Sequence, residues 1–77
     1  MSRQLIEDCV RHSLEKYLND LDGETATNVY ELVMHTVEKP VLEVVMRHAG
    51  DNQSQAAAIL GINRNTLRKK LSEHGLL

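Results

Sequence analysis

The run QAAAILGINRNTLRKKL, residues 55–71, decides how this chain is read. Two short helices that cross at a tight turn make specific demands. The crossing needs a small residue, and Ala57 supplies it. The corner needs a residue that tolerates positive φ, and Gly61 stands four positions on. Ile62 can plug the corner. Leu67 and Leu71, spaced i and i+4, give the second helix an apolar inner face. Ala56, Ile59 and Leu60 are expected to complete this small core. These constraints, met together in one run, describe a helix-turn-helix, whose second helix lies in the major groove of DNA. An ordinary helical hairpin is the plain alternative.

The caps set the boundaries. Asn52 and Gln55 have capping-box spacing, so the first of the two helices should run from Gln53 to Leu60. Asn63 is a good N-cap for the next, from Arg64 to about Glu73, with His74 near its end and Gly75 beyond.

Charge is unevenly placed around this run. The chain has formal net charge -2. Residues 1–50 carry five basic and nine acidic groups, whereas residues 51–77 carry four basic groups (Arg64, Arg68, Lys69, Lys70) and two acidic ones. A solvated helix face would explain a lone basic run, but cations gathered at one end point to a negatively charged partner there. With Leu67 and Leu71 turned inward, Arg64, Asn65, Arg68, Lys69 and Ser72 take outer and flanking faces. Arginine forks onto O6 and N7 of guanine, and asparagine pairs with adenine. Arg64 and Arg68 are therefore expected at base edges, with Lys69 and Lys70 on phosphates. Thr66 and Asn63 can donate to phosphate oxygens. Backbone N–H groups at Gln53 and Ser54, on a helix N-terminus, attract anions as well.

Upstream, residues 3–21 read as an amphipathic helix. Val10, Leu14, Tyr17, Leu18 and Leu21 share one face, which Leu5, Ile6 and Cys9 extend. Asp22-Gly23 should stop it. A second helix is expected from Asn28, where Asn28 and Glu31 repeat the capping-box spacing, to about residue 48. It is apolar nearly all round, with Leu32, Leu42 and Met46 opposite the main stripe, and such a helix is buried on more than one side. A second copy of the chain is the economical cover. The dimer core would then hold Val10, Leu14, Tyr17, Val33, Val37, Val41, Val44 and Val45. Pro40 removes one hydrogen bond and should kink this helix; the alternative is a break.

Length and composition agree. The chain has 77 residues, no Trp, no Phe and two Tyr, so its core is thin for a monomer and a partner subunit is expected. One continuous domain follows, with dimerisation helices in residues 1–50 and the helix-turn-helix in residues 51–77. The lone Cys9 allows no intrachain disulfide and fits a reducing compartment. No stretch reads as a membrane span or a signal peptide, so a cytoplasmic protein is expected. His12, His35, His48 and His74 are scattered without metal-ligand spacing, and Ser13 has no identifiable base. No cofactor, no metal and no enzyme activity are expected.

Two stretches carry a family resemblance: NVYELVMHTVEKPVLEVVMRHAG, with its mid-helix proline, and DNQSQAAAILGINRNTLRKKLSEHGLL. Together they resemble the Fis family (factor for inversion stimulation) over nearly the whole chain. The first stretch separates a Fis-like chain from sigma-54-dependent activators, which share the DNA-binding end. The resemblance implies an all-α subunit of four helices, the first two interlocked with those of a partner in a homodimer and the last two a helix-turn-helix. It implies recognition helices closer together than one turn of straight DNA, hence bending of the duplex and preference for sequences that bend easily. The family's DNA contacts fall on Asn52, Ser54, Asn63, Arg64, Thr66, Arg68 and Lys69, with Arg64 as the guanine reader. Asn65 stands where family members often have glycine, and Glu73 where a lysine is common. The enteric members carry a longer N-terminal extension that touches a recombinase. Contact with a recombinase or RNA polymerase is thus a partner class the resemblance leaves open.

The expected function is a DNA-binding, DNA-bending homodimer that organises the bacterial nucleoid and regulates transcription. A local regulator with few sites is one alternative. A helical adaptor that binds protein is another, but it leaves four cations on one short helix unexplained.

Overall fold

A computed structural model describes residues 3–77. Those residues form four helices and no strand: α1 Arg3–Asn19, α2 Val29–His48, α3 Gln53–Leu60 and α4 Arg64–Glu73. The chain divides into two compact units, one ending at Val33 and the other spanning Met34–Leu77.

The first unit holds α1, the loop behind it and the first turn of α2. No residue of α1 is buried. Val10, Leu14 and Leu21 are half-buried, while Leu5, Ile6, Tyr17 and Leu18 are exposed. The ion pairs Arg11–Asp8 at 2.8 Å and Lys16–Asp20 at 3.0 Å lie in solvent. Pairs of that kind add little stability. The helix stops two residues before Leu21, in a turn where Asp22 (φ 52°) and Gly23 (φ 91°) are both left-handed.

The start of α2 departs from expectation. Asn28 has φ 53°, in the left-handed region, instead of the extended backbone of an N-cap. Its carbonyl accepts from Leu32 N at 3.0 Å, but no capping bond to Glu31 forms. The spacing of a capping box is present; the backbone that would aim the side chain is not. At Pro40 the helix does not break, and runs unbroken to His48.

The second unit has a small core of Leu42, Ala49, Ala56, Ala57, Leu67 and Leu71. Val45, Met46, Leu60, Ile62 and Leu76 pack against it. Leu42 belongs to α2, on the face opposite its main apolar stripe. So one side of that helix is covered from within the chain, by the helix-turn-helix. Ile59, expected in this core, is instead 49% exposed. On α3 the 100° step places Ile59 about 160° from Ala57 across the barrel, so both cannot face α4.

The other side of α2 is bare. Tyr30, Met34, Val41 and Val44 are exposed, and Val33 and Val37 are half-buried; Val45, expected on this face, instead packs against the core.

Candidate nucleic-acid interface

Two asparagine caps build the site. Asn52 is extended (φ −84°, ψ 108°), and its side chain accepts from Gln55 N at 3.0 Å. The reciprocal arm of a capping box is not used, because Asn52 N already donates to the Ala49 carbonyl at 3.2 Å. At the next helix, Asn63 (φ −68°, ψ 144°) accepts from Asn65 N at 2.7 Å. Each cap consumes one side-chain oxygen and leaves the amide N–H groups to donate. Each helix start also presents first-turn backbone N–H groups that no helical carbonyl can satisfy.

The turn between them is held by backbone bonds. Gly61 (φ 72°) donates to Ala58 at 3.2 Å, and Ile62 N donates to Ala57 at 3.1 Å. This is the helix-ending pattern in which a left-handed residue lets the next one fold back onto the core. Ile62 accordingly packs against the cluster. Gly75 (φ 68°) ends α4 in the same way, with Leu76 N on Leu71 O at 2.8 Å.

The turn brings the starts of α3 and α4 together. Arg64 Nη1 donates to Ser54 Oγ at 3.3 Å across ten positions of sequence. Asn52, Ser54, Asn63, Arg64, Asn65, Thr66, Arg68 and Lys69 are all exposed. With Leu67 buried, the helical step puts Asn65 and Lys69 each about 160° from it, on the outermost strip of α4. Among the described residues no carboxylate lies within ion-pair distance of Arg64, Arg68 or Lys69.

Lys70 is placed differently from its neighbours. It is half-buried, and its ammonium donates to Glu38 Oε2 on α2 at 2.9 Å. His74 Nε2 donates to the other oxygen, Oε1, also at 2.9 Å. Hydrogen bonding from Lys70, and then from His74, holds the Glu38 carboxyl below its ordinary value of 4.5. The same bond raises Lys70 above 10.5. The His74 side chain is 1% exposed, and its ring lies 4.3 Å from that of His35.

Sequence reasoning missed this cluster, although its signal was present. His74 is seven residues after Leu67 and three after Leu71, on the inner face. Glu38 is four before Leu42, on the α2 stripe that faces the core. Among the described residues no group of three or more His, Cys, Asp or Glu is placed to hold a metal ion. None of the described helices is long and apolar enough to cross a membrane.

Comparison with known proteins bears on the same segment. The profile of the family described as "Bacterial regulatory protein, Fis family" matches residues 34–74, from the second turn of α2 to the residue after α4. The chain is 61% identical to a protein of Ralstonia nicotianae named "Putative Fis-like DNA-binding protein", over the full length of both. Proteins of the same name from Neisseria meningitidis serogroups A and B are 56% identical over 72 residues, covering 94% of this chain and 91% of theirs.

Proposed function

This chain belongs to the Fis family of bacterial regulatory proteins, and on that premise we propose that it acts as a homodimer that binds and bends double-stranded DNA. In this reading it is a nucleoid-associated transcriptional regulator of the bacterial cytoplasm. One observation carries the DNA reading. Arg64, Arg68 and Lys69 stand exposed and free of carboxylates on one short helix, in a chain whose net charge is -2. A solvated face of an acidic chain would have gathered counter-charges; a face kept for an external polyanion would not.

The roles divide by position. Arg64 is at the start of α4, where recognition-helix side chains reach base edges best. It reads guanine, and Arg68 one turn on reads a second base. Asn65 shares the outermost strip of α4 with Lys69. Lys69, Thr66, Asn63, Asn52 and Ser54 take phosphates, the last two beside the open N-terminus of α3.

Dimerisation follows from what α1 and α2 leave uncovered. Tyr17, Val41 and Val44 are exposed in one protomer, and Val10, Leu14, Val33 and Val37 only half-buried, while Val45 already packs against the chain's own core. A second copy meets the other seven with the same apolar chemistry. Bending rests on the family's close spacing of recognition helices.

The test is titration against DNA at several salt concentrations. The three exposed cations of each protomer, Arg64, Arg68 and Lys69, give a dimer up to about six counterion-releasing contacts and a log–log slope of about -5. Arg64→Ala should cost about 1–3 kcal/mol on a matched site and relax preference at one base position. A flat salt response rejects DNA binding, and equal losses on matched and random duplexes reject the base-reading role.

A further inference from the structure

The Glu38 cluster ties α4 to α2 and lies apart from the exposed cations. Both Glu38 oxygens are occupied, one by Lys70 and one by His74, each at 2.9 Å. Lys70 and His74 are spaced i and i+4, so both grip the carboxylate from one side of α4. The grip brackets the buried Leu71. The Lys70 side chain is 34% exposed and that of Glu38 30%, against the open position of Lys69 beside them. His35 adds its ring against His74 from the α2 side.

We infer that Glu38 is a positioning residue that withholds Lys70 from DNA, so that α4 presents three cations to the duplex and spends the fourth on its own seat. The inference rests on the DNA reading above. Its physical basis is a competition. For Lys70 to reach a phosphate it must leave a hydrogen-bonded ion pair and strand half of a partly buried carboxylate. That carboxylate, held then by His74 alone, would stand near a polyanion. Lys69 reaches a phosphate with nothing to give up.

A merely structural Glu38 would alter melting but not the salt dependence of binding, so the slope is the readout. The proteins are wild type, Lys69→Gln, Lys70→Gln, Glu38→Gln and the Glu38→Gln/Lys70→Gln double variant, each titrated with one duplex from low to moderate salt. Loss of one phosphate-bound lysine per protomer flattens the slope by about 1.8 per dimer. Lys69→Gln should show that loss, and Lys70→Gln should keep the wild-type slope. Glu38→Gln frees Lys70 and should steepen the slope by up to about 1.8. The double variant should return to the wild-type value.

Lys70→Gln flattening the slope as Lys69→Gln does would overturn the inference while leaving DNA binding intact. So would a Glu38→Gln slope equal to wild type. A flat slope for the wild type would instead remove the DNA reading itself. Should Glu38→Gln fail to fold, the contrast between Lys69→Gln and Lys70→Gln still decides.

Discussion

Leu42→Ala is the substitution that most directly tests how the DNA-binding unit is held. Leu42 lies on α2, yet it is 2% exposed among residues of α3 and α4. Truncation removes its isopropyl group and leaves a hole. Its fully buried neighbours cannot refill it. Ala49, Ala56 and Ala57 are too short, and Leu67 and Leu71 are already packed at 0% and 1% exposure. Buried Leu→Ala changes cost 2–5 kcal/mol, more where the site cannot collapse, so about 3–4 kcal/mol is expected here. A domain of this size loses roughly 4–8 °C of melting temperature per kcal/mol. The fall should therefore be about 12–30 °C, measured by circular dichroism at one fixed protomer concentration and checked by urea titration. Val44→Ala is the control. Val44 is 58% exposed within the protomer, so it should cost under about 0.5 kcal/mol if that face stays in water. If a second copy covers it, the cost is larger and the midpoint depends on concentration. A loss below about 1 kcal/mol for Leu42→Ala, with the urea slope unchanged, would refute the packing argument.

Three further outcomes follow from local geometry. Gly61→Ala should destabilise by about 1–2 kcal/mol. At φ 72° an added Cβ meets no atom within 4 Å, so left-handed strain is the whole cost and Gly61→Asn should cost less; a loss beyond ~3 kcal/mol in urea melts would show a hidden clash. Asn52→Ala removes the 3.0 Å cap on Gln55 N and should cost about 1 kcal/mol, whereas Asn28→Gly, which keeps the left-handed φ 53° unstrained at a helix start without a cap bond, should cost less. Equal losses in thermal melts would contradict that assignment. Glu38 is held below 4.5, so its contribution is present above that pH and lost as pH falls through the lowered value. Lys70 is raised above 10.5, so its contribution is full below that pH and lost as pH climbs past it. The melting gap between wild type and Glu38→Gln should thus persist between those limits and close in acid; a gap undiminished at about pH 3 would be inconsistent with the pair.

Much of the architecture was legible because its causes are local. Asn63 before Arg64, Gly61 behind an alanine-rich turn, and Leu67 with Leu71 four apart each act through bonds or strain within a few residues. The caps and the turn therefore appear where spacing puts them. Asn28 shows the limit. Its spacing to Glu31 matches that of Asn52 to Gln55, but Asn28 takes a left-handed backbone instead of the extended one that an N-cap uses. Composition cannot report φ.

Elsewhere, placement depended on partners distant in sequence. Ile59 reads as core by its apolarity, yet it lies on the wrong side of α3 once Ala56 and Ala57 face inward. Lys70 reads as one more cation of a basic run, but its ammonium donates to a carboxylate 32 residues away. His74 reads as a helix-end surface residue and is buried against that same carboxylate.

The sequence by itself determined four helices, the asparagine caps of the last two, the glycine corner and the sign of the charge on the last helix, since periodicity, backbone freedom and formal charge are properties of neighbouring residues. Only the tertiary structure decided which cations of α4 remain open to a partner and which one is spent inside. That choice depends on whether a carboxylate from α2 comes within hydrogen-bond reach, and a distance across the fold is not written in any one stretch of chain.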